Sequence, residues 1–386
     1  MTIIRSLTSL PHRGTGTPME KKAADIIENF LVSAGAVVER QGFLTPKTYI
    51  WEVLWLTWLI AAGLVSIPVF SWFSVLLLLF CTICALLFLD WRASPLAFIC
   101  PGAGSENIIG QDPPRDEQEM AGENPGVRTQ LILMAHYDSA PVSLLYLPSM
   151  VKNFRSSLFM NLGLIFTALL VSIFQVLYPG HSMVIWAGRA LALYFLIQGG
   201  ITAFDYLRYG YTNGASDNAT GTAAAMVTAM RLWKKPVPAM DVRLVLTGAE
   251  ETGMTGAKHY FTSLKGISPD TALVLNFDSL GKGDLKIVTK TGSITTLEYT
   301  GRLVDAAIKT ARTDSRFNDV KTASWHTGDF DTLWFARAGI PSLTLTAQDT
   351  LGAIPHLHRP EDVIGNVDGA ITDQAIDFAE TLVRSL

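Results

Sequence analysis

The sequence predicts an α/β protein with a mostly parallel central sheet, helices on both faces, and two transmembrane helical hairpins inserted into the chain. Three observations lead there. The runs TQLILMA (129–135), VRLVL (242–246), TALVLNF (271–277) and PSLTLTA (341–347) are too continuously apolar for half-exposed strands, so they read as strands buried on both faces. Stretches such as DNATGTAAAMVTAMRLW (217–233) and TTLEYTGRLVDAAIKTA (295–311) read as helices between them, and strands alternating with helices argue for a parallel sheet. Finally, 51–91 and 158–204 are longer and greasier than a buried helix requires.

Composition supports the third observation. The 386 residues are 49% hydrophobic and only 17% charged, with a mean hydropathy of +0.30, whereas soluble chains carry about 25% charged residues. A net charge of −4 offers no basic face, so no nucleic-acid partner is expected. The three cysteines, Cys81, Cys84 and Cys100, lack a second ligand pair nearby and read as thiols packed like small hydrophobes.

In chain order, the opening MTIIRSLTSLPHRGTG lacks the apolar core of a secretory signal. Thr17, Pro18 and Glu20 form a capping box at the start of a helix over 17–34, which Gly35 stops. AVVERQGF (36–43) alternates like a strand. The run 51–91 has no charge between Glu52 and Asp90 and is long enough for two spans, with Ser66-Ile67-Pro68 and Ser71 at the turn. PLAFICPG (95–102) is expected to be a strand and ENIIGQDPPRDEQEMAGENPG (106–126) an exposed connection. After the 129–135 strand, the second apolar run, Leu158 to about Phe204, is broken by YPGHS (178–182) into two more spans. Tryptophans 51, 55, 58, 72 and 91 and Tyr178 lie near the ends, as an interfacial belt would.

Each hairpin returns the chain to the side it left. Residues 1–50, 92–156 and 205–386 are therefore expected to form one discontinuous domain, with 51–91 and 157–204 as transmembrane hairpins in a lipid bilayer. Arg40, Lys47, Arg92, Lys152, Arg155 and Arg208 all lie on the domain side, which favours a cytoplasmic-facing domain on a multi-pass membrane protein with four spans. Oligomeric state is left open.

Sites in open α/β sheets form beyond the carboxyl ends of the strands. There stand His136-Tyr137-Asp138, the adjacent Glu250 and Glu251, and Asp278, with Asp217 at a helix start and His356 and His358 in the last loop. Converging acids repel unless cations neutralise them, and two divalent metals bound by imidazole and carboxylate would do so, zinc being suited to that set.

The motifs HYD (136–138), GASDNATG (214–221), GAEETGMTGAKHY (248–260), NFD (276–278), DFDTLWFARAGIPSLTL (329–345) and HRPED (358–362) occur in an order that resembles the co-catalytic di-zinc aminopeptidases, family twenty-eight of the metallopeptidases. PHRGTGTPMEKKAADII (11–27) is similar to that family's first helix. The apolar runs depart from its soluble members. The resemblance implies a zinc-exopeptidase fold, two Zn2+ ions and peptide substrates. It further implies His136 and Asp278 on one zinc, Glu251 and the final histidine on the other, and Asp217 bridging both. Asp138 would fix the His136 imidazole and Glu250 would be the general base. The pattern His-x-Pro-x-Asp favours His358 over His356 as the final ligand, and His326 falls near an oxyanion-stabilising position. His12, His181 and His259 read as structural or incidental, and the sequon at Asn218 is discounted because it overlaps the metal motif.

The expected activity is membrane-anchored aminopeptidase hydrolysis. Alternatives are a glutaminyl-cyclase-like acyltransferase, whose one-zinc members lack the His-x-Asp ligand, and an inactive peptidase-like scaffold or receptor domain, which would have lost ligands.

Overall fold

A computed structural model of the chain describes residues 1–112, 128–238 and 240–386. Its strands are β1 (Val37–Pro46), β2 (Gly102–Gln111), β3 (Thr129–His136), β4 (Met240–Thr247), β5 (Ala272–Phe277), β6 (Asp284–Thr291), β7 (Leu297–Glu298), β8 (Lys321–Ser324) and β9 (Ser342–Gln348). Its helices are α1 (Thr2–Thr8), α2 (Pro18–Ser33), α3 (Ile50–Ser66), α4 (Ser71–Leu89), α5 (Pro148–Val151), α6 (Phe154–Leu177), α7 (Ser182–Tyr209), α8 (Gly221–Lys234), α9 (Thr255–Ser263), α10 (Arg302–Thr313), α11 (Leu333–Arg337) and α12 (Gly369–Arg384).

The sheet runs β1-β2-β4-β3-β5-β9-β6-β7, with β8 on β6. The centre, β4-β3-β5-β9, is parallel, as is the β6–β8 pair at one side. β2 joins β4 and β6 joins β9 antiparallel, so the expected mostly parallel sheet is a mixed one with a parallel core. The buried strands follow from their patterning. All six residues of β5 are buried, and alternate residues of β3 point to opposite faces. Leu131, Leu133 and Ala135 join a core with α1, α2, α8, α10 and α12. Ile132 and Met134 join a second core with α9 and α11. Helices thus cover both faces.

Local signals explain most boundaries. Thr17 accepts a hydrogen bond from the Glu20 amide at 3.3 Å, and Gly35, at φ +86°, follows the end of α2. Glu20 itself reaches back one residue further than a capping box requires, accepting from the Gly16 amide at 2.6 Å. Elsewhere the expectations shift. PLAFI is a 3-10 turn, begun by Pro95 after the Ser94 cap, and the strand is displaced onto Gly102–Gln111, where Asn107, Ile108 and Ile109 are buried. The rest of the expected connection, 113–126, lies outside the described residues. The helix expected from 295 begins only at Arg302, because Leu297 and Glu298 pair with β6 and Gly301 precedes the helix at φ +98°. Cys81 and Cys84 are buried thiols in α4.

The two apolar runs fold as helical hairpins, α3–α4 and α6–α7, which pack side by side through α3 against α7 and α4 against α6. Helices α4, α6 and α7 are long and apolar enough to cross a membrane, and α3 is a shorter apolar helix of 17 residues. The bundle is apolar on its outside as well: Phe80, Ile83, Phe166, Leu170, Leu196 and Ile197 are all exposed. Inside, small residues let backbones approach, the packing mode of helices that gain nothing from burying apolar surface against lipid. A Cβ on Gly188 would sit 3.2 Å from Ile67 Cδ1 and 3.4 Å from the Leu64 carbonyl oxygen, and one on Gly199 would sit 2.5 Å from Thr57 Oγ1. Gly199→Leu is therefore expected to wedge α3 from α7, an overpacking that costs about 1–3 kcal/mol and lowers the unfolding temperature of the detergent-solubilised protein. Gly200→Leu, which meets open space, is the control and should leave that temperature unchanged.

Candidate metal centre

The parallel register brings the acids together. His136 at the end of β3 lies opposite Thr247 of β4, and Met134 lies opposite Asn276 of β5. Continuing each strand past its last ladder bond sets the Glu250–Glu251 turn on one side of His136 and Asp278 on the other. His136 Nε2 lies 3.2 Å from Asp217 Oδ1 and 3.5 Å from Asp278 Oδ2. His358 Nε2 lies 3.2 Å from Glu251 Oε2 and 3.4 Å from Asp217 Oδ2. Asp217 therefore turns one oxygen to each histidine. The ligand atoms of His136, Asp217 and Asp278, and those of Asp217, Glu251 and His358, lie within 4.8 Å of one another. Glu250 belongs to a third such group with His136 and Glu251.

Asp217 does not begin a helix as its sequence context suggests. Its backbone is non-helical (φ −111°, ψ 87°) and α8 starts at Gly221. The loop is held instead by Asp362, whose Oδ1 accepts from the Ser216 amide at 2.6 Å and whose Oδ2 accepts from the Asp217 amide at 3.1 Å. Asn218 ties the same loop to β5. Its side-chain amide donates to the Phe277 carbonyl at 3.0 Å, and its Oδ1 accepts from the Ser279 amide at 3.1 Å. Asn218 is fully buried, so its sequon faces no solvent.

Asp138 serves two elements. Its carboxylate faces His136 Nδ1 at 3.4 Å, and it accepts from the amides of Glu250 at 3.1 Å and Glu251 at 3.2 Å and from the Thr15 hydroxyl at 3.0 Å. One buried acid thus faces an imidazole and clamps the backbone of the Glu pair. The surrounding backbone is unusual. Ala249, Met254, Ser279 and His358 all occupy the left-handed region at φ 52–54°, a conformation of higher energy for residues with a Cβ that clusters where a site over-determines it.

The electrostatics of the cluster favour bound positive charge. Burial raises Glu250 well above the usual carboxylate range against the pull of His136, with Glu251 adding to the rise. Burial likewise pushes Glu251 up to about 7, opposed by His358 and assisted by Asp217. Burial alone would lower the His136 imidazole, yet Glu250 and the carboxylates of Asp138, Asp217 and Asp278 hold it well above its ordinary value. Among the described residues, Asp217 Oδ2 and Glu251 Oε1 are buried with no hydrogen-bond partner. Imidazoles and unsatisfied carboxylate oxygens at this spacing fit divalent cations held by mixed N and O donors. Arg13 is the fixed cation behind the acids. It is fully buried, and its guanidinium donates to the carbonyls of Tyr137 (2.6 Å), Asn213 (2.6 Å) and Gly214 (2.7 Å).

His358 joins the cluster and His356 does not, its Nε2 facing Lys282 Nζ at 3.3 Å. His326 Nδ1 stands 3.2 Å from the Gly292 carbonyl oxygen, and His326 is not among the residues facing the cavity above the cluster, although its neighbours Trp325 and Thr327 are. That cavity, of about 200 Å³, has His136, Asp217, Glu250, Glu251, Asp278 and His358 at its floor. Tyr146 also lines it, its ring 4.3 Å from that of His358. Sequence reasoning assigned no role to Arg13, Thr15, Asp331 or Asp362. Each lies inside a motif quoted above, but only the fold shows that Asp362 holds the Asp217 loop and that Asp331 accepts from the Thr247 hydroxyl at 2.5 Å.

Residues 202–383 match the model of peptidase family M28. The match spans somewhat under half of the chain, which over that region is similar to the family. The matched region holds Asp217, Glu250, Glu251, Asp278 and His358, and the fold brings His136 and Asp138 to the same cluster from upstream. Aminopeptidase YwaD of Bacillus subtilis is 29% identical over 177 residues, which is 45% of this chain and 38% of YwaD. The curated relatives are matched over well under half of their own length. Among solved structures, BSAP, a zinc aminopeptidase from Bacillus subtilis, shares the fold with a TM-score of 0.57 at 16% identity, over 99% of this chain and 93% of that one. Porphyromonas gingivalis glutaminyl cyclase shares it with a TM-score of 0.56 at 14% identity, over 99% and 95%.

Proposed function

We propose that this chain is a zinc-dependent aminopeptidase that binds two ions and is held in a membrane by its helical hairpins. The observation that carries the reading is Asp217, buried between two histidines with one oxygen toward each. On this reading His136 and Asp278 hold one ion, Glu251 and His358 the other, and Asp217 both. When bound, zinc supplies Lewis acidity for the scissile carbonyl and brings water within reach of deprotonation near neutral pH.

The chain's own residues do the rest. Glu250, beside the ligand Glu251 but assigned to neither ion, takes a proton from the attacking water and returns it to the leaving amine. Its side chain stands with His136 and Glu251 in one group at the cavity floor, within reach of a water held there. Asp138 keeps His136 oriented and the Glu pair in register. The apolar outer surface of the α3–α4 and α6–α7 bundle supports membrane anchoring through four spans. The Lys and Arg residues at the hairpin bases support a cytoplasmic-facing sheet, which protease protection in sealed cells checks.

Metal content and an aminopeptide panel test the whole reading. Purified protein should carry close to two zincs and release only N-terminal residues from short peptides, and a chelator should abolish that release. Cyclisation of N-terminal glutamine without hydrolysis would favour the glutaminyl-cyclase alternative, whose fold is shared. Metal-free, inactive protein would favour the scaffold alternative.

A further inference from the structure

We propose that the two helical hairpins build the substrate pocket as well as anchoring the chain, and that this pocket selects peptides whose first residue is bulky and apolar. The inference rests on the aminopeptidase reading above and names its substrate class. The cavity above the acid and histidine cluster is walled by Phe88, Leu89 and Trp91 at the end of the first hairpin, by Phe154 and Leu158 at the start of the second, and by Leu145 in the segment that leads into it. Those six side chains offer no charge to a substrate. Apart from Asp329, which is engaged by Trp91, the acids and histidines sit at the floor, where a free amine and a scissile carbonyl belong.

The walls are fixed to the loops that complete the same cavity. Trp91 Nε1 donates to Asp329 Oδ2 at 2.9 Å, and Asp90 Oδ1 pairs with Arg337 at 2.8 Å. The Trp91 ring packs on Gly253, where an added Cβ would come within 3.3 Å of it, two residues past Glu251 in the chain. On the other side, Arg155 donates to the Ser293 carbonyl and the Thr296 hydroxyl, both at 3.1 Å. Asp205 of α7 accepts from the Leu144 amide at 3.0 Å, securing the segment that carries Leu145 and Tyr146. Asp329 and Ser293 themselves line the cavity. Hairpins that served only as anchors would not need their ends clamped to the loops around the cluster. An apolar cavity of about 150 Å³ lined by Leu, Ile and Phe accepts benzene, so a space of about 200 Å³ takes a leucine or phenylalanine side chain.

The test uses the full chain in detergent micelles, with kcat/KM measured for tripeptides that differ only in a first residue of Leu, Phe, Ala or Lys. Leu and Phe should exceed Ala and Lys by at least about tenfold, the lower bound for one or a few methylenes in a fitted pocket. In the double variant Phe88→Ala, Leu158→Ala the Leu-to-Ala ratio should fall by about tenfold. A ratio taken within one preparation does not depend on the folded fraction. If that variant is inactive, Leu158→Trp decides, because filling the pocket should shift preference from Leu and Phe toward Ala. Wild-type preference for Ala or Lys, or an unchanged ratio in the variants, overturns the proposal. Absence of cleavage of every peptide by zinc-loaded wild type instead overturns the aminopeptidase reading on which it rests.

Discussion

Glu250→Gln is expected to keep its zinc and to lose about 10²–10⁴-fold in kcat, the usual contribution of a positioned general base. The exchange is isosteric, and what holds this turn is the backbone: Asp138 accepts from the Glu250 and Glu251 amides, which the substitution leaves in place. Glu251 should therefore still reach His358. Only the capacity to take a proton is removed. Zinc content by emission spectroscopy, read beside steady-state kinetics, separates the possibilities. Unchanged turnover would remove Glu250 from the chemistry. Joint loss of zinc and turnover would make it a ligand, ending the division of roles within the Glu pair.

Asp217→Asn carries the second large effect, and it falls on metal binding. Among the described residues only Asp217 faces both histidines, so on the two-ion reading its loss weakens both positions, whereas Asp278→Asn weakens only the His136 side. An amide supplies one acceptor oxygen where the carboxylate supplied two and removes a negative charge shared by both ions. Even groups that merely orient a ligand are worth up to about 100-fold in metal affinity, so Asp217→Asn should exceed that. Competition against a chromogenic chelator measures it. Wild-type stoichiometry and affinity in the variant would exclude a shared ligand.

How far the sequence could be read depended on whether a feature is local. The strands of the parallel core were legible because burial on both faces leaves a continuous apolar run, and the hairpins because apolar helices of that length leave little alternative. The antiparallel flanks were not legible. β2 carries Glu106 and Asn107 beside Ile108 and Ile109, a mixture that reads as loop until β1 and β4 are seen to pair with it. Leu297–Glu298 reads as part of a helix for the same reason: its strand character comes from antiparallel pairing with β6 and not from its own pattern. The motifs named the residues that converge, and their order carried the family resemblance. They could not distinguish Asp217 in an extended loop from a helix cap, because Asp suits both. Nor could they show that Arg13, Asp331 and Asp362 stand behind the cluster, since support of that kind depends on segments 84 to 201 residues apart.

The position of the hairpins in the chain sets an order of assembly. The first separates β1 from β2, which pair along their whole length, and the second separates His136 from Asp217, which meet at 3.2 Å. During synthesis the sheet edge cannot close until the first hairpin has been accommodated. The cluster cannot form until the second has been accommodated as well. Under the membrane reading, a chain in which only one span of the second hairpin inserts leaves His136 and Asp217 on opposite sides of the bilayer and has no site, and the same failure in the first hairpin parts β1 and Arg13 from the rest of the sheet. Competence for chemistry would then be acquired only at the destination, with no separate propeptide or inhibitor needed to keep the unfinished protein inert.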